Sequence, residues 1–174
     1  MKHLLITFVF LLGLSSVGLA QRYAYVDTQY ILDNVPEYQA AQEELNRLSE
    51  EWQNEVEMQF KLVAQKRKEF QDEAILLPAE IKAQREKEIL DMENKAMELQ
   101  KQRFGVGGDL FVKREQLIKP IQDRIFDAIQ QIASERNFAF VFDKANQSNL
   151  LYADPKYDIS DQVIKEMGIK VDNN

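Results

Sequence analysis

Side chains that commonly carry covalent or acid–base catalysis are nearly missing from this 174-residue chain. It has no cysteine, and its one histidine, His3, sits three residues from the amino terminus. Thiol and imidazole chemistry have no residues to work with beyond that point. Carboxylates are plentiful, and Glu50 with Glu51 or Asp72 with Glu73 could be read as acid–base pairs. Neighbouring positions on a helix point apart, however, and nothing around them would desolvate a carboxyl to tune its pKa. Asp143, Asn146, Asn149 and Asp154 place oxygen donors around one turn, as a hard cation would require. They lack the loop spacing of a calcium site, and turn formation explains these residue types more simply. Gly105, Gly107 and Gly108 follow a helical pattern and no strand, so they do not make a phosphate-cradling loop. No catalytic set, metal or cofactor is expected, and the chain does not read as an enzyme.

The elements that would hold such residues explain what is present instead. Breakers are rare. Glu37 to Leu77 contains neither Gly nor Pro and is rich in Ala, Leu, Glu, Gln, Lys and Arg, and Ala79 to Phe104 is the same. Pro36 suits a first helical turn, with Asn34 as the expected cap. In the first segment Leu45, Leu48, Trp52, Val56, Phe60, Val63, Phe70 and Ala74 recur three, four or seven apart with charges between them. This makes one apolar stripe on a helix. Ile81, Arg85, Ile89, Met92, Ala96, Leu99 and Arg103/Phe104 continue it close to a heptad seam. A reversal at Leu76-Leu77-Pro78 sets residues whose numbers add to about 155 opposite one another. Val63 then meets Met92 and Val56 meets Leu99, so the two seams close into an antiparallel hairpin. Glu43 with Arg47, Glu57 with Lys61 and Asp91 with Lys95 are spaced for pairing on its exposed faces.

The glycine cluster Gly105, Gly107 and Gly108 reads as a hinge, a tight crossing or a plain loop. Helix resumes at Leu110 and runs to about Arg136, with Pro120 expected to kink it. Three short strands are expected at Tyr23–Asp27, Phe138–Asp143 and Asn149–Ala153. A two-stranded ribbon alone is marginal, so these should share one sheet. Asp158 to Gly168 reads as a last helix, capped by Asp158 or Ser160 and stopped by Gly168.

The first twenty residues have the three parts of a secretory signal: Lys2, an apolar run from Leu4 to Leu14, and small residues ending at Ala20. The expected cut after Ala20 gives an exported protein with no transmembrane segment in its mature part. The net charge is −7, and loss of Lys2 makes it one unit more negative. That balance opposes a nucleic-acid partner. The expected division is 1–20 signal peptide, 36–104 helical hairpin with its tip near 76–78, and 21–35 with 105–174 as a β body with base helices. The fold class is α+β, mostly α.

Signal, strand, long helical hairpin, paired strands and short helix, in that order, resemble the Skp/OmpH family of periplasmic chaperones. The residues that carry the likeness are Ala24-Tyr-Val-Asp27, Arg124-Ile-Phe-Asp-Ala-Ile129, Phe140-Val-Phe-Asp143, Leu150-Leu-Tyr-Ala-Asp-Pro155 and Asp158-Ile-Ser-Asp-Gln-Val163. The resemblance implies a homotrimer with a β body and three coiled-coil-like arms around a cavity. It also implies ATP-independent holding of unfolded outer-membrane β-barrel proteins in the periplasm. The best-known members are strongly basic and bind lipopolysaccharide; this chain is acidic, so no lipopolysaccharide site is carried over. Ile75, Leu76 and Leu77 at the tip, with Met58 and Met97, are candidate client contacts, or else they pack the end of the coil and its seam. Lys61, Lys66, Arg67, Lys68, Lys82, Arg85 and Lys87 gather in the outer half of the hairpin, for acidic segments or for intrahelical pairing. The competing reading is a structural coiled-coil envelope protein, or complex subunit, that binds folded partners.

Overall fold

The stretches without breakers become the long helices of a computed structural model that describes residues 22–145 and 150–170. Strand β1 is Arg22–Val26, helix α1 Thr28–Asp33, α2 Pro36–Glu73, α3 Ala79–Phe104, α4 Asp109–Arg136, strand β2 Phe138–Asp143 and helix α5 Ser160–Glu166. Contacts divide the chain into one unit of residues 32–124 and another that joins 1–31 to 125–174. The proposed signal peptide lies outside the described residues.

In the first unit, α2 spans 38 residues, about 57 Å at the usual helical rise. Pro36 occupies its first turn; Val35, not Asn34, precedes it in extended conformation. The helix tightens into a 3₁₀ turn over Ala74–Leu76, and Leu77 and Pro78 are extended. The chain then reverses into α3. The expected seam is present: Leu45, Val56 and Val63 of α2 and Ile89 and Ala96 of α3 are buried, with Leu48, Trp52, Phe60, Met92 and Leu99 half-buried. Ile81 and Phe104 depart from expectation and are exposed, because each lies at an end of α3.

Ion pairs tie the limbs together. Arg67 meets Glu93 at 2.6 Å, Arg103 meets Glu55 at 3.0 Å and Arg124 of α4 meets Glu37 at 3.1 Å. The returning limb therefore includes α3 and the start of α4, with the glycine turn inside it. These long side chains join residues between about one and two turns away from the direct opposites. Arg103 is the most connected, held by Glu55 and by Asp109 at 2.6 Å and lying 5.0 Å from the Trp52 ring centroid. The Asp109 carboxylate foremost, then Glu55, holds its guanidinium pKa above the ordinary value. On the exposed faces Lys61 pairs with Glu57 as expected, but Arg47 chooses Glu44 and Glu51 over Glu43.

Two positions explain the glycine cluster. A Cβ at Gly105 would run into the Lys101 carbonyl oxygen, and Gly107 adopts φ +72°. Both conformations disfavour a side chain. Pro120 lies within α4, which continues through it. Gln116 and Pro120 are both exposed, so the carbonyl without its amide donor faces solvent.

In the second unit β1 and β2 are parallel, with Ala24 opposite Val141 and Val26 opposite Asp143. The expected third strand is absent: Leu150 to Ala153 forms no strand among the described residues. The other edge of β1 is taken by a bridge from Tyr25 to Asp158, with the Ile159 amide donating to the Tyr25 carbonyl at 3.0 Å. Ala24, Val26, Val163 and Ile164 form the core beside Ile125, Ala128 and Ile132 of α4.

The short helix α5 is anchored on both sides of its start. Asp158 accepts the Ser160 amide at 2.9 Å and its hydroxyl at 2.6 Å, and the Ser160 hydroxyl accepts the Asp27 amide at 2.9 Å. Gly168, at φ +78°, ends it with the Ile169 amide donating back to Ile164. This is the double-bonded left-handed stop expected of a terminal glycine.

Candidate binding surfaces

The tip residues are open to solvent. Ile75 is 90% exposed and Leu76 86% exposed, while Leu77 is half-buried. The 3₁₀ turn and Pro78 cause this, because no further helical layer lies above them. Met58 and Met97 are exposed on α2 and α3. Sequence reasoning missed a neighbour of the same kind: Val106 stands fully exposed between the glycines of the turn. The glycine spacing could have pointed to it, since a tight turn pushes its intervening side chain outward.

Charges along the hairpin are mostly spent within it. Lys61, Lys66, Arg67 and Arg85 all pair with glutamates, two of them across the limbs. Lys68, Lys82 and Lys87 make no ion pair among the described residues. Exposed pairs of this kind are worth under about 1 kcal/mol each.

The second unit exposes aromatic surface that sequence reasoning had assigned to a closed sheet. Phe140 and Phe142 stack at 6.3 Å on one face of β2 and are exposed. Leu151 is 96% exposed and Tyr152 79%. An apolar cavity of about 280 Å³ lies between Tyr25, Phe142, Leu150 and Tyr152. The edge of β2 that no strand pairs among the described residues, with these rings, would mark an aggregation hazard if left uncovered.

Polar groups here position the chain. Asp143 receives the Thr28 amide at 3.2 Å and hydroxyl at 2.8 Å. Asp154 is bound by Lys156 at 2.8 Å, and that hydrogen bond holds its carboxyl below the usual range. Asn146 and Asn149 lie outside the described residues. Among the described residues no group of three or more His, Cys, Asp or Glu is arranged to hold a metal ion. Among them, too, no helix is long and apolar enough to cross a membrane.

The profile of the outer membrane protein (OmpH-like) family matches residues 22–167, most of the chain. The chain belongs to the OmpH-like family. A solved structure from Caulobacter crescentus, described as an OmpH-like outer membrane chaperone, superposes with a TM-score of 0.68. It shares 11% identity and covers 88% of this chain and 94% of its own, so the likeness is one of fold. No protein of curated function matches the sequence. The family and the α+β fold with its long antiparallel hairpin and small sheet are those expected from the residues.

Proposed function

We propose that this OmpH-like protein is a periplasmic, ATP-independent holdase. It binds unfolded outer-membrane β-barrel proteins in a cavity between the helical arms of a homotrimer and prevents their aggregation. The observation that carries this reading is apolar surface left exposed among the described residues: Ile75 and Leu76 at the tip and Met58 and Met97 along the limbs. Several weak apolar contacts, multiplied by enclosure, hold an unfolded chain without any chemical step. The β2 edge, unpaired among the described residues, and the exposed Phe140, Phe142, Leu151 and Tyr152 favour association, because contact between copies would cover them. Residues 1–20 act as the export signal, and 36–104 as the client-holding arm with its tip near 76–78. Gly105, Gly107, Gly108 and Pro120 are where the arm flexes around clients of different size.

Sedimentation of the mature chain, alone and mixed with a barrel protein diluted from denaturant, tests this reading. A trimer that carries the barrel protein with it supports the proposal. A monomer that leaves the barrel protein to aggregate rejects it. Amide exchange tests the hinge separately: residues 105–109 should exchange faster than the helices on either side, and equal protection removes that role.

A further inference from the structure

In a chain of net charge −7, one cleft of the second unit is lined by cations and by no carboxylate. It has a volume of about 470 Å³ and lies where the start of β1, the end of α4, the start of β2 and helix α5 meet. Arg22, Arg136 and Lys156 bring the charge. Lys156 is neutralised by Asp154, but neither Arg22 nor Arg136 makes an ion pair among the described residues. Arg22 is held in place by donating to the Arg136 carbonyl at 2.9 Å and by lying 5.4 Å from the Phe138 ring centroid. Most of its fork stays available for an anion. Tyr23 and Tyr157, 5.4 Å apart, supply an apolar wall. The cleft also includes Gln162, whose Oε1 is buried with no hydrogen-bond partner among the described residues. A buried amide oxygen in that state calls for a donor.

We infer that this cleft binds the carboxyl terminus of a polypeptide whose last side chain is apolar. Each feature answers one part of such a ligand. The two unpaired guanidinium groups match the planar terminal carboxylate, which a guanidinium binds with two parallel hydrogen bonds. The aromatic wall takes the last side chain, and a small rotation of the Gln162 amide uncovers its unpaired Oε1 to accept an amide N–H of the ligand backbone. A bare inorganic anion would use the charges and leave the aromatic wall empty. The inference goes beyond holding of unfolded chains and does not depend on it, since a short peptide suffices to test it.

The probe is a hexapeptide of serines ending in phenylalanine, labelled at its amino terminus and followed by fluorescence anisotropy with the full mature protein. The free acid should bind, and the same peptide with an amidated carboxyl terminus should bind at least about tenfold more weakly. Arg136→Gln, which keeps the carbonyl that anchors Arg22, should weaken the free acid about tenfold and the amide little. Lys156→Gln should matter less, because Asp154 already neutralises that charge. Gln162→Leu should weaken acid and amide alike. Far-ultraviolet circular dichroism confirms that each variant is folded, and should Arg136→Gln unfold, the acid–amide comparison on the unaltered protein still decides. Equal binding of acid and amide overturns the proposal. So does displacement of the peptide by inorganic phosphate at concentrations comparable to its own. Failure of client holding with acid-selective peptide binding intact would reject the holdase reading alone.

Discussion

Replacing Ile75 and Leu76 together by serine should leave folding almost untouched and weaken client holding strongly. The magnitudes follow from exposure. Full burial of such a side chain stabilises by about 1.5–3 kcal/mol. At 90% and 86% exposure these two keep only about a tenth of that within the chain, so their joint loss costs a few tenths of a kcal/mol. For a protein of this size that moves Tm by no more than about 1–2 °C. Against a bound client the arithmetic reverses. If each side chain is half covered by the client, the pair loses about 1.5–3 kcal/mol, or roughly ten- to a hundredfold in affinity. Light scattering of a barrel protein diluted from denaturant, and titration with a labelled client, read the second effect; thermal melting reads the first. Ile164→Ala sets the opposite pattern, because that side chain is fully buried and its truncation should cost about 2–5 kcal/mol. A tip variant that melts many degrees lower would mean the tip is packed in the assembled protein. A variant that holds clients undiminished would mean the tip does not touch them. Either result refutes the reasoning.

Three further outcomes are expected. Gly105→Ala should destabilise the hairpin unit by about 1–3 kcal/mol in urea titration, because the new Cβ meets a backbone carbonyl that cannot move aside. A neutral variant would show that the turn is looser than described. Ser160→Ala leaves the Asp27 amide without its acceptor and should cost about 1–3 kcal/mol, visible as a shift in the urea midpoint. The third concerns alkaline pH. Burial first, and then Asp158, raises the Tyr25 phenol, while its hydrogen bond to Asp161 foremost raises that of Tyr30. Both groups hold their protons longer in the folded chain, so their contribution is complete below the ordinary phenol value near 10. It is lost as pH rises from there through the folded values, where the unfolded chain binds fewer protons. Urea midpoints measured from pH 9 to 11 should fall, and Tyr25→Phe with Tyr30→Phe should flatten that fall.

The hairpin was legible because local and long-range signals agree there. An unbroken run of helix formers from Glu37, a stripe through Leu45, Val56 and Val63, and its continuation through Ile89 and Ala96 require one arrangement. The helix α5 was legible at its end, where Gly168 makes the stop, but the expected N-cap shifts: Ile159 holds that position without a side-chain cap, and Asp158 accepts the Ser160 amide from one residue further out. The sheet was not. Leu150-Leu151-Tyr152 has the composition of a strand, but strand propensity depends on context and supplies no pairing partner by itself, and it is Asp158 that bridges to β1. No local pattern announces a single-residue bridge. The ion pairs show the same limit: Arg47 has four glutamates three or four residues away, Glu43, Glu44, Glu50 and Glu51, and side-chain geometry selected Glu44 and Glu51. Of the candidate surfaces, the tip could be placed by counting residues from Pro78. The cationic cleft could not, since Arg22, Arg136 and Gln162 come from three distant segments and none stands out in its own stretch.

The central claim is that the chain works as an assembly that shelters unfolded barrel proteins. Sedimentation velocity of the mature protein, with and without a barrel protein diluted from denaturant, tests it most directly. The expected result is a particle of three chains that takes up the barrel protein and keeps it soluble. A single-chain particle beside a sedimenting aggregate would contradict it.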